Sequence, residues 1–272
     1  MEENHESQSP QTEPLETSYE PSHSDKLVGV FTEPANIFEE TSKFPPKSID
    51  WIIPLLTVIL VAAISNYLIM SNPEIKLGVI EKQMAQVEEQ FESAVESGNM
   101  TQDQADEQME NIREGMESGM GNIFFSLIGI VVVTFVVFFI VSGVFYLFAR
   151  FAFKDTGTYS TAMVSYGLPY YIAVLQLIVM VILAFIMNKA LSDTSLASLM
   201  DVDKSTIGGF LLGKLDVFSI WFYAVVSIAF AKMFKSNNYG KYFIMVFGLW
   251  IGFTFVMFLL AQAFPFLRWF GM

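Results

Sequence analysis

The apolar residues of this chain are massed into blocks rather than spread in stripes. Five apolar runs, at residues 51–70, 123–149, 159–187, 211–231 and 242–264, alternate with polar segments. Each reaches the roughly 20 residues a helix needs to cross a bilayer. Blocks of this kind mark membrane spans, whereas a surface helix would show a one-faced apolar stripe. The first run opens on Trp51, an aromatic suited to the membrane interface, with Pro54 near its start and Asn66 near its far end. The second is almost purely Val, Ile, Phe and Leu, with Gly129, Ser142 and Gly143 as small surfaces for close helix approach. Pro169 kinks the start of the third, in which Gln176 is a lone polar group. Lys214 and Asp216 stand at the front of the fourth, and Lys232 and Lys235 close it. The fifth holds Gly248 and Gly252 in GxxxG spacing and runs into an aromatic cluster, Phe264-Pro265-Phe266 and Trp269-Phe270.

The polar segments have patterns of their own. In 71–122 the period changes: Ile80, Met84, Val87, Phe91 and Ala94 recur at three or four residues, the spacing of one helical face. Ser97-Gly98-Asn99 breaks that helix, and Thr101 with Gln104 forms a capping box for a second one bearing Ala105, Met109, Ile112 and Met116. The pattern predicts an acidic helical hairpin outside the bilayer, packing on itself, on the spans or on a second copy. Residues 26–50 carry Leu27, Val28, Val30, Phe31, Ile37 and Phe38 around Thr32-Glu33-Pro34. Thr32 can cap a helix and Pro34 can open one, so a short amphipathic helix is expected over Pro34–Ser42, lying at the membrane surface. Residues 1–25 are rich in Glu, Ser, Pro and Thr and are expected to be a disordered acidic tail. They lack the basic and apolar regions of a signal peptide, so the first span would serve as an uncleaved insertion signal. Residues 188–209 read as a polar loop with one helical turn near 196–200.

Composition sharpens this picture. The 272 residues are 53% hydrophobic and 16% charged, with mean hydropathy +0.47, where a soluble domain carries about 25% charged residues. The fold class is therefore an all-α integral membrane protein of five transmembrane helices, with the hairpin between the first and second. Net charge is −13, yet 19 of the 28 acids lie in residues 1–25 and 71–122. No basic stripe with interleaved aromatics exists, which argues against nucleic acid as a partner. With no Cys, disulfides and thiolate chemistry are excluded, and both histidines, His5 and His23, fall in the tail. No phosphate loop, HExxH or GxSxG motif is present, so no catalytic, cofactor or metal residue is expected. Lys and Arg on the short loops favour a cytoplasmic N-terminus and an outside C-terminus in the cytoplasmic (inner) membrane, eight against four once the long acidic segment is left out.

Ionisable groups inside a membrane are functional candidates, and Lys214 and Asp216 are the two here. On one reading Asp216 caps a helix beginning at Val217 and Lys214 snorkels to the interface. On the other they form an ion or proton site with Gln176, Asn66 or Gln262.

Four segments together resemble a known family: Val28-Gly-Val-Phe-Thr-Glu-Pro-Ala-Asn-Ile-Phe38, Thr156-Gly-Thr-Tyr-Ser-Thr-Ala162, Tyr166-Gly-Leu-Pro169 and Leu215-Asp-Val-Phe-Ser-Ile-Trp221. In this order, with five spans, the chain resembles the YIP (Ypt/Rab-interacting protein) family, in its prokaryotic branch, over about residues 27–264. The resemblance implies a helical membrane domain without known enzymatic activity. Its eukaryotic relatives are linked to Rab-type GTPases, vesicle traffic and membrane shaping, but their Asp-Leu-Tyr-Gly-Pro motif is missing here, which counts against GTPase binding. A family-like interaction surface would fall on Pro34 and Phe38, on Gly157, Tyr159 and Pro169, and on Asp216 and Trp221. The function expected is a non-enzymatic membrane organiser or adaptor. Its partners would be the lipid bilayer, an unidentified membrane or cytoplasmic protein and, as a homo-oligomer, its own copies. The alternative is a small permease or transporter subunit using Asp216, Lys214 and Gln176.

Overall fold

A computed structural model describes residues 19–118 and 120–264. Most of the acidic tail and the aromatic cluster beyond Phe264 therefore lie outside the described residues. Within them all regular structure is helical. The first helix, α1 (His23–Thr32), begins inside the stretch read as tail. Ser22 caps it: the Asp25 amide donates to Ser22 Oγ at 3.2 Å and the Ser22 amide to Asp25 Oδ2 at 2.9 Å. This capping box is hard to see in sequence because it sits in a Ser-rich stretch. Helix α2 (Pro34–Ser42) follows with Pro at its first position, over the range predicted.

Helix α3 (Ile49–Ser71) is the first candidate span. Asn72 ends it and caps α4 (Pro73–Glu96), accepting from the Glu74 amide at 3.0 Å. In α5 (Gln102–Ser118) the Thr101–Gln104 box is closed from both sides, at 3.3 and 3.1 Å. Helices α4 and α5 pack on each other, and α5 touches α6 (Met120–Leu147). A single π-helical turn, Phe148–Ala152, prolongs α6.

Two predicted spans are broken. The third is α7 (Tyr159–Gly167) and α8 (Tyr170–Met187), interrupted at Leu168-Pro169, where the proline ring cannot donate to the ladder. The fourth is not one helix over 211–231. A short α9 (Leu196–Leu199) precedes α10 (Ile207–Lys214) and α11 (Val217–Met233), and the last two meet at 59°. The cause is Asp216, which is extended and caps α11, so that helix cannot continue from α10. Helix α12 (Tyr239–Ala263) starts three residues earlier than the apolar run, on Asn238, which accepts from the Lys241 amide at 3.2 Å. Four helices or helix pairs are long and apolar enough to cross a membrane, and a fifth is gained if bent α10–α11 is one span.

Helix α3 packs on α7 and α8, α6 on α7, and α11 on α7, α8, α12 and α2. Contact is close where glycine allows it. A Cβ on Gly167 would fall 2.7 Å from Trp51 Cα, so α7 lies directly on α3. Aromatic rings fill the centre, with Trp51 stacked on Phe138 at 5.3 Å and Phe138 on Tyr166 at 5.6 Å. The outer sides of α6 and α12 leave Val133, Ile140, Ile244 and Phe253 exposed, as lipid-facing surfaces do. The polar ends fall into two groups. Residues 19–48, 148–158 and 234–238 meet at one end, joined by Glu39–Lys232 and Asp155–Lys241 ion pairs. The α4–α5 pair meets loop 188–206 at the other, where Asn188 donates to Glu74.

Candidate functional site

The N-terminal end is built from residues far apart in sequence. Helix α1 brings Lys26 and His23 onto the start of α3 and α8. The Lys26 ammonium lies 2.5 Å from Asp50 Oδ2, and the two side chains are 3% and 2% exposed. A charge pair this dry is held by mutual need: either partner alone would be a buried, uncompensated charge. His23 Nδ1 stands 3.1 Å from the other Asp50 oxygen and Nε2 2.7 Å from the Tyr171 hydroxyl. A carboxylate only accepts, so Nδ1 donates to Asp50, while Nε2 and the Tyr171 hydroxyl share a second hydrogen bond. This four-residue cluster pins the segment before the first span to two span helices.

Helix α2 adds a second pin. It packs on α11, with Phe38 fully buried and Glu39 paired to Lys232. The Lys232 ammonium holds the exposed Glu39 carboxyl below the usual carboxylate range. Asp155 accepts from Lys241 Nζ at 2.5 Å and from the Tyr242 hydroxyl at 2.7 Å, tying the turn after α6 to α12.

The structure places the residues marked as an interaction surface as follows. Phe38 and Pro169 are buried and offer no surface. Gly157 lies beneath the Phe234 ring, Trp221 packs edge-on against Phe31 at 5.7 Å, and the Tyr159 hydroxyl donates to the Phe139 carbonyl at 2.9 Å. Pro34 starts α2 and is half-buried. Gly157, Tyr159 and Trp221 thus join polar-end segments to neighbouring helices.

The polar group proposed around the fourth span is only partly assembled. Asp216 is 2% exposed and accepts from Thr194 Oγ1 at 2.7 Å, Gln176 Nε2 at 2.8 Å, Ser219 Oγ at 2.7 Å and the Phe218 amide at 3.1 Å. Four donors match the capacity of a carboxylate. Lys214 is not among them: its Nζ lies 5.0 Å from the Phe210 ring and 5.8 Å from the Trp250 ring. The bend between α10 and α11 falls between the two charges, and no ion pair joins them among the described residues. Asn66 is exposed and Gln262 donates to the Ser205 carbonyl at 2.5 Å, both outside this group. Thr194 had no signal in sequence, since a loop threonine becomes a partner only when the loop folds back over α8.

One contact has the form of a nucleophile beside a base: Lys204 Nζ lies 2.9 Å from Ser192 Oγ. The same ammonium lies 2.6 Å from Asp193 Oδ2. Lys204 donates to both Ser192 Oγ and Asp193, so it offers the serine a donor and not an acceptor. Burial works against ionisation of Asp193, but donors from Lys204, Ser195 and Ser198 outweigh it and hold the carboxyl below its ordinary range. Among the described residues no group of three His, Asp or Glu converges as metal ligands.

Long apolar helices around an aromatic centre define a multi-pass helical membrane protein. A family model, the Yip1 domain, matches residues 28–261, from within α1 to the last turn of α12, and the chain belongs to that family. The family is a non-enzymatic membrane family. Comparison with curated proteins and with solved structures finds no match.

Proposed function

We propose that the protein is a non-enzymatic membrane organiser whose N-terminal end, formed by α1, α2 and the turns after α6 and α11, is a rigid platform for a membrane or cytoplasmic protein. The observation that carries this reading is the double pinning of the pre-span segment, by Lys26–Asp50 on α3 and Glu39–Lys232 on α11. A segment held this way presents a fixed shape, where a tether would present many. The short-loop charges support placing this end in the cytoplasm of a cell bounded by a cytoplasmic membrane, with the α4–α5 hairpin and the C-terminus outside. The missing Asp-Leu-Tyr-Gly-Pro motif supports the prokaryotic branch and a partner other than a Rab-type GTPase. The permease reading draws little from Asp216, whose acceptor sites are taken by four neutral donors. Crosslinking in cells from single cysteines at Ser42 and Lys154, followed by mass spectrometry, tests the proposal. A reproducible protein neighbour supports it, a second copy of the chain makes the platform an oligomer contact, and the absence of any neighbour at both positions overturns it.

A further inference from the structure

At the platform end, the turn after α6 borders a shallow cleft of about 430 Å³, lined by Tyr146, Arg150, Thr156, Gly157, Thr158 and Tyr159. Its shape is held by neighbouring helices. Gly157 lies against the Phe234 ring, which leaves no room for a Cβ, and Asp155 is tied to Lys241 and Tyr242 on α12. The one acid of the turn is thereby matched by a lysine, and no carboxylate lines the cleft. The donors, by contrast, are unspent. Arg150 is exposed in the π-helical turn, a form often found at functional sites. One of its nitrogens reaches the Asp155 carbonyl at 3.4 Å, which leaves most of its five N–H groups free. The Thr156 hydroxyl and the Lys154 ammonium, both exposed, enter no hydrogen bond or ion pair with the described residues. Other lysines of this end differ: Lys26, Lys43, Lys47, Lys232 and Lys241 each face a carboxylate.

Beside the cleft the surface is apolar. Ile140, Val144, Leu147 and Phe151 are exposed and recur at three or four residues, one helical strip next to the strip that carries Tyr146 and Arg150. At 1.5 Å per residue that strip runs for about 16 Å, close to half of the roughly 30 Å hydrocarbon core. The two parts select a ligand together. A guanidinium pairs with two phosphate oxygens at once, and the hydroxyl and ammonium add further donors. With no carboxylate in its lining, the cleft offers nothing to a cation or to the amine of a zwitterion. An acyl chain fits the strip that ends beside the arginine. We propose that this cleft holds the phosphate of an anionic phospholipid in the leaflet at the platform end, with an acyl chain along α6. The proposal rests on the membrane-spanning fold and not on a protein partner, so a crosslinking search that finds no neighbour leaves it standing.

The test is native mass spectrometry of the delipidated full chain in detergent, titrated separately with phosphatidylglycerol, phosphatidylcholine and water-soluble glycerol phosphate. Arg150→Gln removes the central charge, and Thr156→Trp removes a donor and fills the mouth. Arg113→Gln, on α5 at the other end, removes the same charge away from the cleft. All three positions are exposed, so the fold survives, as an unchanged elution volume verifies. Phosphatidylglycerol binding should weaken about tenfold in each cleft variant, the loss of one charge-assisted contact, and stay unchanged in Arg113→Gln. Phosphatidylcholine should bind less well, and glycerol phosphate only far above the lipid's concentration. Unchanged binding in both cleft variants overturns the site, as does an equal loss in Arg113→Gln, which would tie binding to net charge. Equal binding of phosphatidylcholine overturns the anionic assignment. Glycerol phosphate binding as tightly as the lipid overturns the acyl contact in favour of a soluble phosphorylated ligand.

Discussion

Lys26 and Asp50 show how a single pair can hold an element in place. Asp50→Ala leaves the Lys26 ammonium buried with only water-poor surroundings, which costs about 3–5 kcal/mol. Replacing both, Lys26→Met with Asp50→Leu, removes the charges together and should recover most of that loss. Thermal unfolding in detergent separates the two outcomes, and a double variant as unstable as the single would show that the ions are not the cause. Asp193 gives a pH prediction. Its folded-state carboxyl ionises below the usual value of about 3.9, so its stabilisation is complete above that value and is lost as pH falls through the lowered one. Loop 188–206 should therefore become sensitive to an acid protease below about pH 4, and Asp193→Asn should be cut there by a neutral protease already at about pH 7, where the parent resists it. Little of this was legible in sequence. Asp50 carried no signal of its own in sequence: Lys26 and His23 lie 24 and 27 residues before it, and Tyr171 lies 148 residues beyond His23.

Helices were legible where their signals are local. Pro at the start of α2, the Thr101–Gln104 box and Asp216 before Val217 each act within three residues, so reading the chain in order finds them. The breaks within the third and fourth runs were harder, because an apolar block has no period to reveal where one helix stops. Pro169 was recognised as a kink. The bend at Leu215-Asp216 follows from the same cap that was recognised, yet that no ion pair joins Lys214 to Asp216 appears only in three dimensions. Helix contacts give a sharper test. Gly167→Leu puts a branched side chain where Trp51 already sits, forcing α7 off α3. Overpacking of this kind costs about 1–3 kcal/mol or more. The variant should unfold at lower temperature in detergent, while Gly248→Leu, which meets nothing within 4 Å, should unfold like the parent.

For the whole molecule, the arrangement of the polar ends makes a topological prediction. The chain has no cysteine, so single substitutions report sidedness cleanly. In right-side-out vesicles an impermeant maleimide should label Ser97→Cys and Ser205→Cys but reach Ser42→Cys and Lys154→Cys only after permeabilisation. Labelling of Ser42 and Ser97 from the same side would refute five crossings. Sequence alone determined the all-helical membrane class, because crossing a bilayer demands long apolar runs with internally paired backbones, a constraint that each segment meets on its own. It also determined the family, whose short segments keep their order along the chain. Tertiary structure decided what the polar side chains do. It buried Phe38 against α11, paired Lys26 with Asp50 and closed Asp216 with Gln176 and Thr194. Such pairings depend on which helix ends arrive at the same place, and helices that are apolar on every side carry no stripe to say which neighbour each will meet.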